Sequence, residues 1–137
     1  MKILDFKVIA AGEVSAEGVI SQMPLSFWGG VNVQTGEVQD VHHSLCGQKI
    51  SGKILGIPCD RGSCSGSGVM LEMIRLETHP VGLLCIEAEP VLSLGVIIGE
   101  KLYHRSIAIR TISRQVFLSL PQQCHITFTE DAILIDE

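Results

Sequence analysis

Ile54-Leu55-Gly56-Ile57-Pro58 leads into Cys59-Asp60-Arg61-Gly62-Ser63-Cys64-Ser65-Gly66-Ser67-Gly68, and that leads into Val69-Met70-Leu71-Glu72-Met73-Ile74-Arg75-Leu76. The first piece is short, apolar and stopped by proline, as a buried strand is. The last piece sets Met70, Met73, Ile74 and Glu77 on one helical face, with Glu72 and Arg75 opposite. Between them lies a loop of small hydroxyl residues and glycines. A strand, a small-residue loop and a helix start make a good place for an anion. The first helical turn leaves backbone N–H groups unpaired and carries partial positive charge. Glycine lets a ligand approach the backbone, and serine adds donors. Arg61 adds a permanent cation whose planar fork suits a carboxylate or phosphate.

The pattern repeats downstream. Residues 81–86 are continuously apolar, as expected of a strand covered on both faces. Pro90, then Val91, Leu92, Leu94, Val96, Ile97 and Ile98, predicts a second helix with proline in its first turn. Residues 107–112 read as the next strand. Strand, helix, strand, helix, strand favours parallel pairing with right-handed crossovers. The ends are strand-rich. Residues 3–10 and 14–20 read as two strands, 24–36 as a loop with turn chemistry at Thr35-Gly36, 38–41 as a short extended piece, and 50–58 as the strand entering the loop. Residues 114–120 fit no single pattern. Residues 125–129 and 133–135 read as a closing hairpin across Glu130-Asp131-Ala132. The fold class is α/β, in one domain spanning residues 1–137.

Hydrophobic content of 46% against 18% charged residues suits a buried sheet or a surface that meets another chain. The net charge of −5 argues against a nucleic-acid partner. No apolar run approaches the roughly 20 residues of a membrane span, and residues 1–6 lack the apolar core of an export signal. The chain reads as cytoplasmic. Its five cysteines, Cys46, Cys59, Cys64, Cys85 and Cys124, are an odd number without an export signal and read as reduced thiols. Cys59 and Cys64 are spaced C-x4-C, but Ser67 stands where an iron–sulfur pattern wants its third cysteine. There is no C-x2-C pair for zinc. No metal site is expected on this chain, and Cys85 reads as core.

Ser63 is the sharpest candidate for chemistry, at the loop-to-helix junction. The plainer reading is that Ser63, Ser65 and Ser67 cap the helix. The loop is no Walker A, since no lysine follows the glycines, and no G-x-S-x-G, since Arg61 and Ser65 hold the outer positions. Cys64 could be a nucleophile with a lowered pKa, but no histidine is near in sequence to serve it. In His42-His43 at most one ring reaches a site if the segment is extended, and a buried structural role is expected of at least one. Trp28, the only tryptophan, reads as a packed lid, a site wall or a partner surface. His104 and Arg105 suit the negative end of the second helix. One candidate base, one cation and no acid make an incomplete set, as in half of an active site.

Several motifs occur in an order that resembles a known family. They are Pro24-Leu25-Ser26-Phe27-Trp28-Gly29-Gly30-Val31, Thr35-Gly36-Glu37-Val38 with Asp40 and His42-His43, Gly52-Lys53-Ile54-Leu55, Arg61-Gly62-Ser63-Cys64-Ser65-Gly66-Ser67, and Leu92 to Tyr103 ending Gly99-Glu100-Lys101-Leu102-Tyr103. Together they resemble the small subunit, or swivelling domain, of the aconitase X group. The resemblance implies a swivelling β/β/α fold and a large partner, as a separate subunit or fused domain, that carries an iron–sulfur cluster. It implies dehydration of a hydroxy acid, with Ser63 matching the catalytic serine as proton-abstracting base and Arg61, Gly62, Cys64 and Ser65 binding substrate around it. The family usually has a second serine where this chain has Cys64. Known members act on cis-3-hydroxy-L-proline or mevalonate 5-phosphate. The modest charge and five cysteines do not suggest a hyperthermophile, which tilts the expectation to cis-3-hydroxy-L-proline. A non-catalytic anion-binding module and a purely structural partner module are the readings from other classes.

Overall fold

The computed structural model describes residues 1–58, 60–61, 63–86 and 90–137, with side chains outside 59–67 and 87–92. In chain order the elements are β1 (Lys2–Ile3), β2 (Lys7–Ala10), β3 (Val14–Ile20), β4 (Leu25–Ser26), the single irregular turn α1 (Phe27–Gly30), β5 (Val31–Asn32), β6 (Glu37–Val38), β7 (Ile54–Ile57), β8 (Asp60–Arg61) and α2 (Ser63–Leu76). They continue with β9 (Gly82–Cys85), α3 (Pro90–Tyr103), β10 (Ala108–Thr111), α4 (Arg114–Leu118), β11 (Gln123–Phe128) and β12 (Ile133–Asp136).

Eight strands form one mixed sheet in the order β1-β12-β11-β3-β7-β9-β10-β2. The parallel block expected from the repeated pattern is there: β7 pairs with β9 and β9 with β10, and β3 joins in parallel beside β7. The closing hairpin of β11 and β12 is antiparallel, as read from sequence. The first strand is not. Residues 3–10 split into β1 and β2, which lie at opposite edges of the sheet. Laid flat, eight strands would hold their outer pair roughly 34 Å apart. Ile3 and Lys7 are four residues apart, a reach of at most roughly 14 Å. The sheet must therefore curl until its two edges nearly meet. That closure is invisible in a run of apolar residues with no glycine or proline to break it.

The curl creates two cores, and the strands sort their side chains between them with period two. Leu55, Ile57, Leu83, Cys85 and Ile109 face one core with Met70, Met73 and Ile74 of α2 and Val96 of α3. Ile54, Leu84, Ala108, Ile126 and Phe128 face the other, inside the curl. The predicted apolar stripe of α2 is thus the buried one, each fully covered side chain contributing about 2 kcal/mol. Glu77 does not share it: the residue follows the helix in left-handed conformation, φ 62°. Gly99 lets α3 lie close on α2, since a Cβ there would stand 2.5 Å from Ile74 Cδ1.

Other expectations shift in detail. The loop of 24–36 contains β4, α1 and the start of the small β5–β6 hairpin. The extended piece at 38–41 is strand only through Val38. The strand of 50–58 is regular only over Ile54–Ile57, because Gly52 turns with φ 69°. Residues 114–120 begin with α4, capped by Ser113, whose Oγ accepts from the Val116 N–H.

Candidate functional site

The C-terminal ends of β3, β7, β9 and β10 point to one edge of the sheet. The helices that follow β7 and β9 begin there. Two backbone bonds tie the edge together: Ser21 N–H donates to Gly56 O at 2.9 Å, and Ile86 N–H to Pro58 O at 3.1 Å. Beyond β7, β8 pairs in parallel with β4, setting Leu25 beside Asp60 and Ser26 beside Arg61. Ser63 then opens a 14-residue helix. The backbone thus brings Arg61 and Ser63 to the end of a long helix dipole, where four N–H groups lack helical partners. Gly62 lies outside the described residues, and so do the side chains of Arg61, Ser63, Cys64 and Ser65.

The turn after β4 flanks this loop. Phe27 is fully buried and anchors it, while Trp28 leaves helical geometry (ψ 116°) and Gly29 takes φ 78°. The result projects the indole outward at 68% exposure. Gln39 fixes the turn from the side, its N–H donating to Gly30 O at 2.9 Å and its Nε2 to Gly29 O at 3.1 Å. Ser26 Oγ donates to Trp28 O at 3.1 Å. Of the three sequence readings for Trp28, the packed lid is excluded by this exposure.

His43 is buried and structural. Leu45 N–H donates to its Nδ1 at 3.1 Å, and its Nε2 lies 3.2 Å from Met23 O. A carbonyl only accepts, so Nε2 carries the hydrogen and the ring is a neutral strut between two loops. His42 is exposed, its N–H donating to Asp40 Oδ1 at 2.9 Å. The pair sits on a turn rather than an extended segment, yet one ring is structural as expected. Beside His43, Ser21 Oγ and Ser44 Oγ bond at 2.6 Å, and Met23 N–H donates to Ser21 Oγ at 3.0 Å. These residues line a depression of about 280 Å³ with Leu120 and Gln122. Nothing in the sequence spacing of Ser21 and Ser44 signals this contact.

Arg105 corrects another expectation. Its Nη1 donates to Ile74 O at 3.1 Å and Arg75 O at 3.4 Å, and its Nη2 pairs with Glu77 at 2.8 Å. It caps the end of α2, not of the α3 it follows.

Among the described residues no group of three or more His, Cys, Asp or Glu could hold a metal ion. Cys46 is exposed, while Cys85 and Cys124 are buried on separate strands. Burial, then Glu137, pushes the Cys124 thiol up from its ordinary value, which disfavours the thiolate a metal needs. The described residues do not fit an iron–sulfur cluster. No described helix is long and apolar enough to cross a membrane.

Comparison with known proteins agrees with this architecture. A cis-3-hydroxy-L-proline dehydratase of Hypocrea jecorina is 45% identical over 98 residues, 72% of this chain and 16% of its own length. A phosphomevalonate dehydratase small subunit of Methanopyrus kandleri is 47% identical over 93 residues, 67% of this chain and 69% of its own. The chain therefore spans about a sixth of the first relative and about two thirds of the second. The crystal structure of Thermococcus kodakaraensis aconitase X in its holo form superposes with a TM-score of 0.85 at 29% identity, covering 100% of this chain and 99% of that one. The swivelling β/β/α fold implied by the sequence resemblance is the fold observed. The model of the aconitase X swivel domain matches residues 3–135, and the chain belongs to that family.

Proposed function

We propose that the chain is the small, swivelling half of a hydro-lyase that dehydrates a small hydroxy acid, working against a large aconitase X partner or fused domain. The observation that carries this reading is the start of α2 at Ser63, two residues after Arg61, in a chain that belongs to the aconitase X swivel family. Ser63 acts as the base and takes the proton from the carbon next to the substrate carboxylate. A serine is a poor base in water. Here the unpaired N–H groups of the first helical turn and the helix dipole stabilise its alkoxide. Arg61 holds the carboxylate through its planar fork, and Gly62, Cys64 and Ser65 line the substrate beside it. We assign the iron–sulfur cluster to the partner; the described side chains, which do not include those of Cys59 and Cys64, hold no metal-ligand group. Departure of the hydroxyl is left to the partner's side.

For the substrate, cis-3-hydroxy-L-proline comes first. Arg61 is the only basic residue from position 54 to 74, and one guanidinium matches one carboxylate. Mevalonate 5-phosphate is the second reading, favoured by the 47% identity to a phosphomevalonate dehydratase small subunit. The test is to co-purify the chain with the large aconitase X subunit of its genome, record the visible absorbance, and assay both acids. The pair should be coloured and dehydrate one of them, while the isolated chain does neither. Turnover or colour in the isolated chain would contradict the half-site. A pair inactive on both acids would favour a non-catalytic anion-binding or structural module.

A further inference from the structure

Arg110 lies inside the curl with 2% of its surface exposed. Its guanidinium carbon stands 5.2 Å from the centre of the Phe128 ring and 6.0 Å from that of Phe6, both rings of the inner core. Nη1 donates to Ala10 O at 2.8 Å and Ile109 O at 3.4 Å, and Nη2 donates to Gly12 O at 2.6 Å. All three acceptors are neutral carbonyls, and they staple the exit of β2 to β10. The Nε–H has no acceptor among the described residues. Nη2 carries two hydrogens and makes one bond, so one of its N–H groups is also left over. Two N–H groups on adjacent nitrogens of a guanidinium are what a carboxylate spans with its two oxygens. No described carboxylate comes within ion-pairing reach of Arg110. Burial pulls its pKa down, and the Glu13 carboxylate pulls it back up. A buried cation held only by carbonyls is short of countercharge.

A cavity of about 420 Å³ opens beside it, lined by Val8, Ala11, Gly12, Glu13, Arg110 and Glu130. That volume falls within the roughly 300–1,000 Å³ of small-molecule sites. Arg110 forms the buried wall, while Glu13 and Glu130 are exposed and stand at the mouth. The Glu130 N–H donates to Glu13 Oε1 at 3.3 Å and so fixes the two residues against each other. Val8 and Ala11 add an apolar wall. One buried cation thus faces two exposed carboxylates across a small, partly apolar space. A simple anion matches the first and is repelled by the second. A zwitterion matches both, with its carboxylate inward and its ammonium at the mouth.

This cavity is not part of the α2 edge. Ala10 pairs with Ile109 near the start of β10, and Val14 opens β3 opposite Phe128. Residues 11–13 therefore lie where the parallel strands begin, a strand's length from the edge where α2 starts. We propose that the cavity binds a small α-amino acid with an apolar side chain, its carboxylate on Arg110 and its ammonium on Glu13 and Glu130. Bound there, the ligand bridges β2 and β10 to the turn after β11, across the closure of the curl, and stabilises the folded chain by linkage. Nothing in this site depends on the half-enzyme reading.

L-Valine is the probe. Isovalerate is the same molecule without the amino group, and isobutylamine is the same molecule without the carboxylate. Each is titrated into the full 137-residue chain labelled with ¹⁵N. Correlation spectra follow the backbone amides and the assigned Arg110 Nε–H. L-Valine should saturate, move the Arg110 Nε–H and the amides of residues 11–13, and raise Tm as its concentration rises. Both truncated probes should bind at least about tenfold more weakly, as loss of a charge-assisted contact implies. Glu13→Gln combined with Glu130→Gln, at exposed positions, should weaken L-valine about fivefold and remove its advantage over isovalerate. These readouts leave Arg110 in place, because the fold itself uses its carbonyl bonds. The absence of a saturable shift with L-valine overturns the proposal. So does either truncated probe binding as tightly as L-valine, or saturation that leaves the Arg110 Nε–H unmoved.

Discussion

Ser26 stands directly beside Arg61 where β4 and β8 run parallel. Two residue pairs of ladder are enough to join the turn that projects Trp28 to the loop that leads into Ser63. On one side the site loop is held by β4 of its own chain.

That geometry makes Arg61 a residue whose shape matters as well as its charge. Arg61→Lys keeps the cation and loses the fork. In the assembled enzyme it should raise KM by about tenfold to a hundredfold, the worth of one charge-assisted hydrogen bond. Its kcat should fall much less. An unchanged KM in steady-state assays would remove Arg61 from carboxylate binding.

Gly36 tests the packing beneath the β5–β6 hairpin. Its φ of 74° is left-handed, and a Cβ there would overlap Ser51 Oγ and come within 2.8 Å of Thr78 O. Ser51 Oγ meanwhile donates to Thr78 O at 2.8 Å and Thr35 O at 3.1 Å. Gly36→Ala should cost at least about 2 kcal/mol, the sum of backbone strain and disturbed hydrogen bonds. Thermal denaturation should show Tm lower by roughly 8 °C.

His104 has the opposite sign. It follows α3 at φ 57°, a position that glycine fills without strain, and its side chain is exposed. His104→Gly should raise stability by about 0.5–1 kcal/mol. A lower Tm would show that the histidine side chain contributes something the backbone conformation does not.

His79 supplies a pH dependence. Burial holds its imidazole below the ordinary 6.5, helped by Arg105 and opposed by a hydrogen bond with Met73 and by Glu77. The unfolded chain therefore takes up this proton at higher pH than the folded chain. The stability difference is fully present above the unfolded value and is lost as pH falls from about 6.5 through the folded value. Urea denaturation from pH about 7.5 to about 5 should show that loss in wild type, and a smaller one in His79→Gln. Parallel pH profiles for the two proteins would count against it.

The parallel heart of the fold was legible because its strands are covered on both faces. Ile54–Ile57 and Gly82–Cys85 read as continuous apolar runs, and Pro90 marked a helix start. The helix after β7 was legible but its start was not: the glycines and serines of residues 63–68 read as loop, whereas α2 already begins at Ser63. The split of residues 3–10 was not legible either, since Leu4-Asp5-Phe6 carries no breaker and the split is imposed by closure of the sheet. Nor was the Arg105 cap on α2, where side chain and carbonyl are about 30 residues apart in sequence. The Ser21–Ser44 contact and the turn that projects Trp28 depend on loops brought together in space. Local pattern carries period and punctuation, and these features have neither.

The central claim is that Ser63 removes the proton. Its direct test is Ser63→Ala in the assembled enzyme, with substrate binding and turnover measured separately. Loss of a general base should lower kcat by roughly a hundredfold to ten-thousandfold. Assembly with the large partner and substrate affinity should stay near wild type. Turnover close to wild type, in a variant that still assembles, would contradict the account.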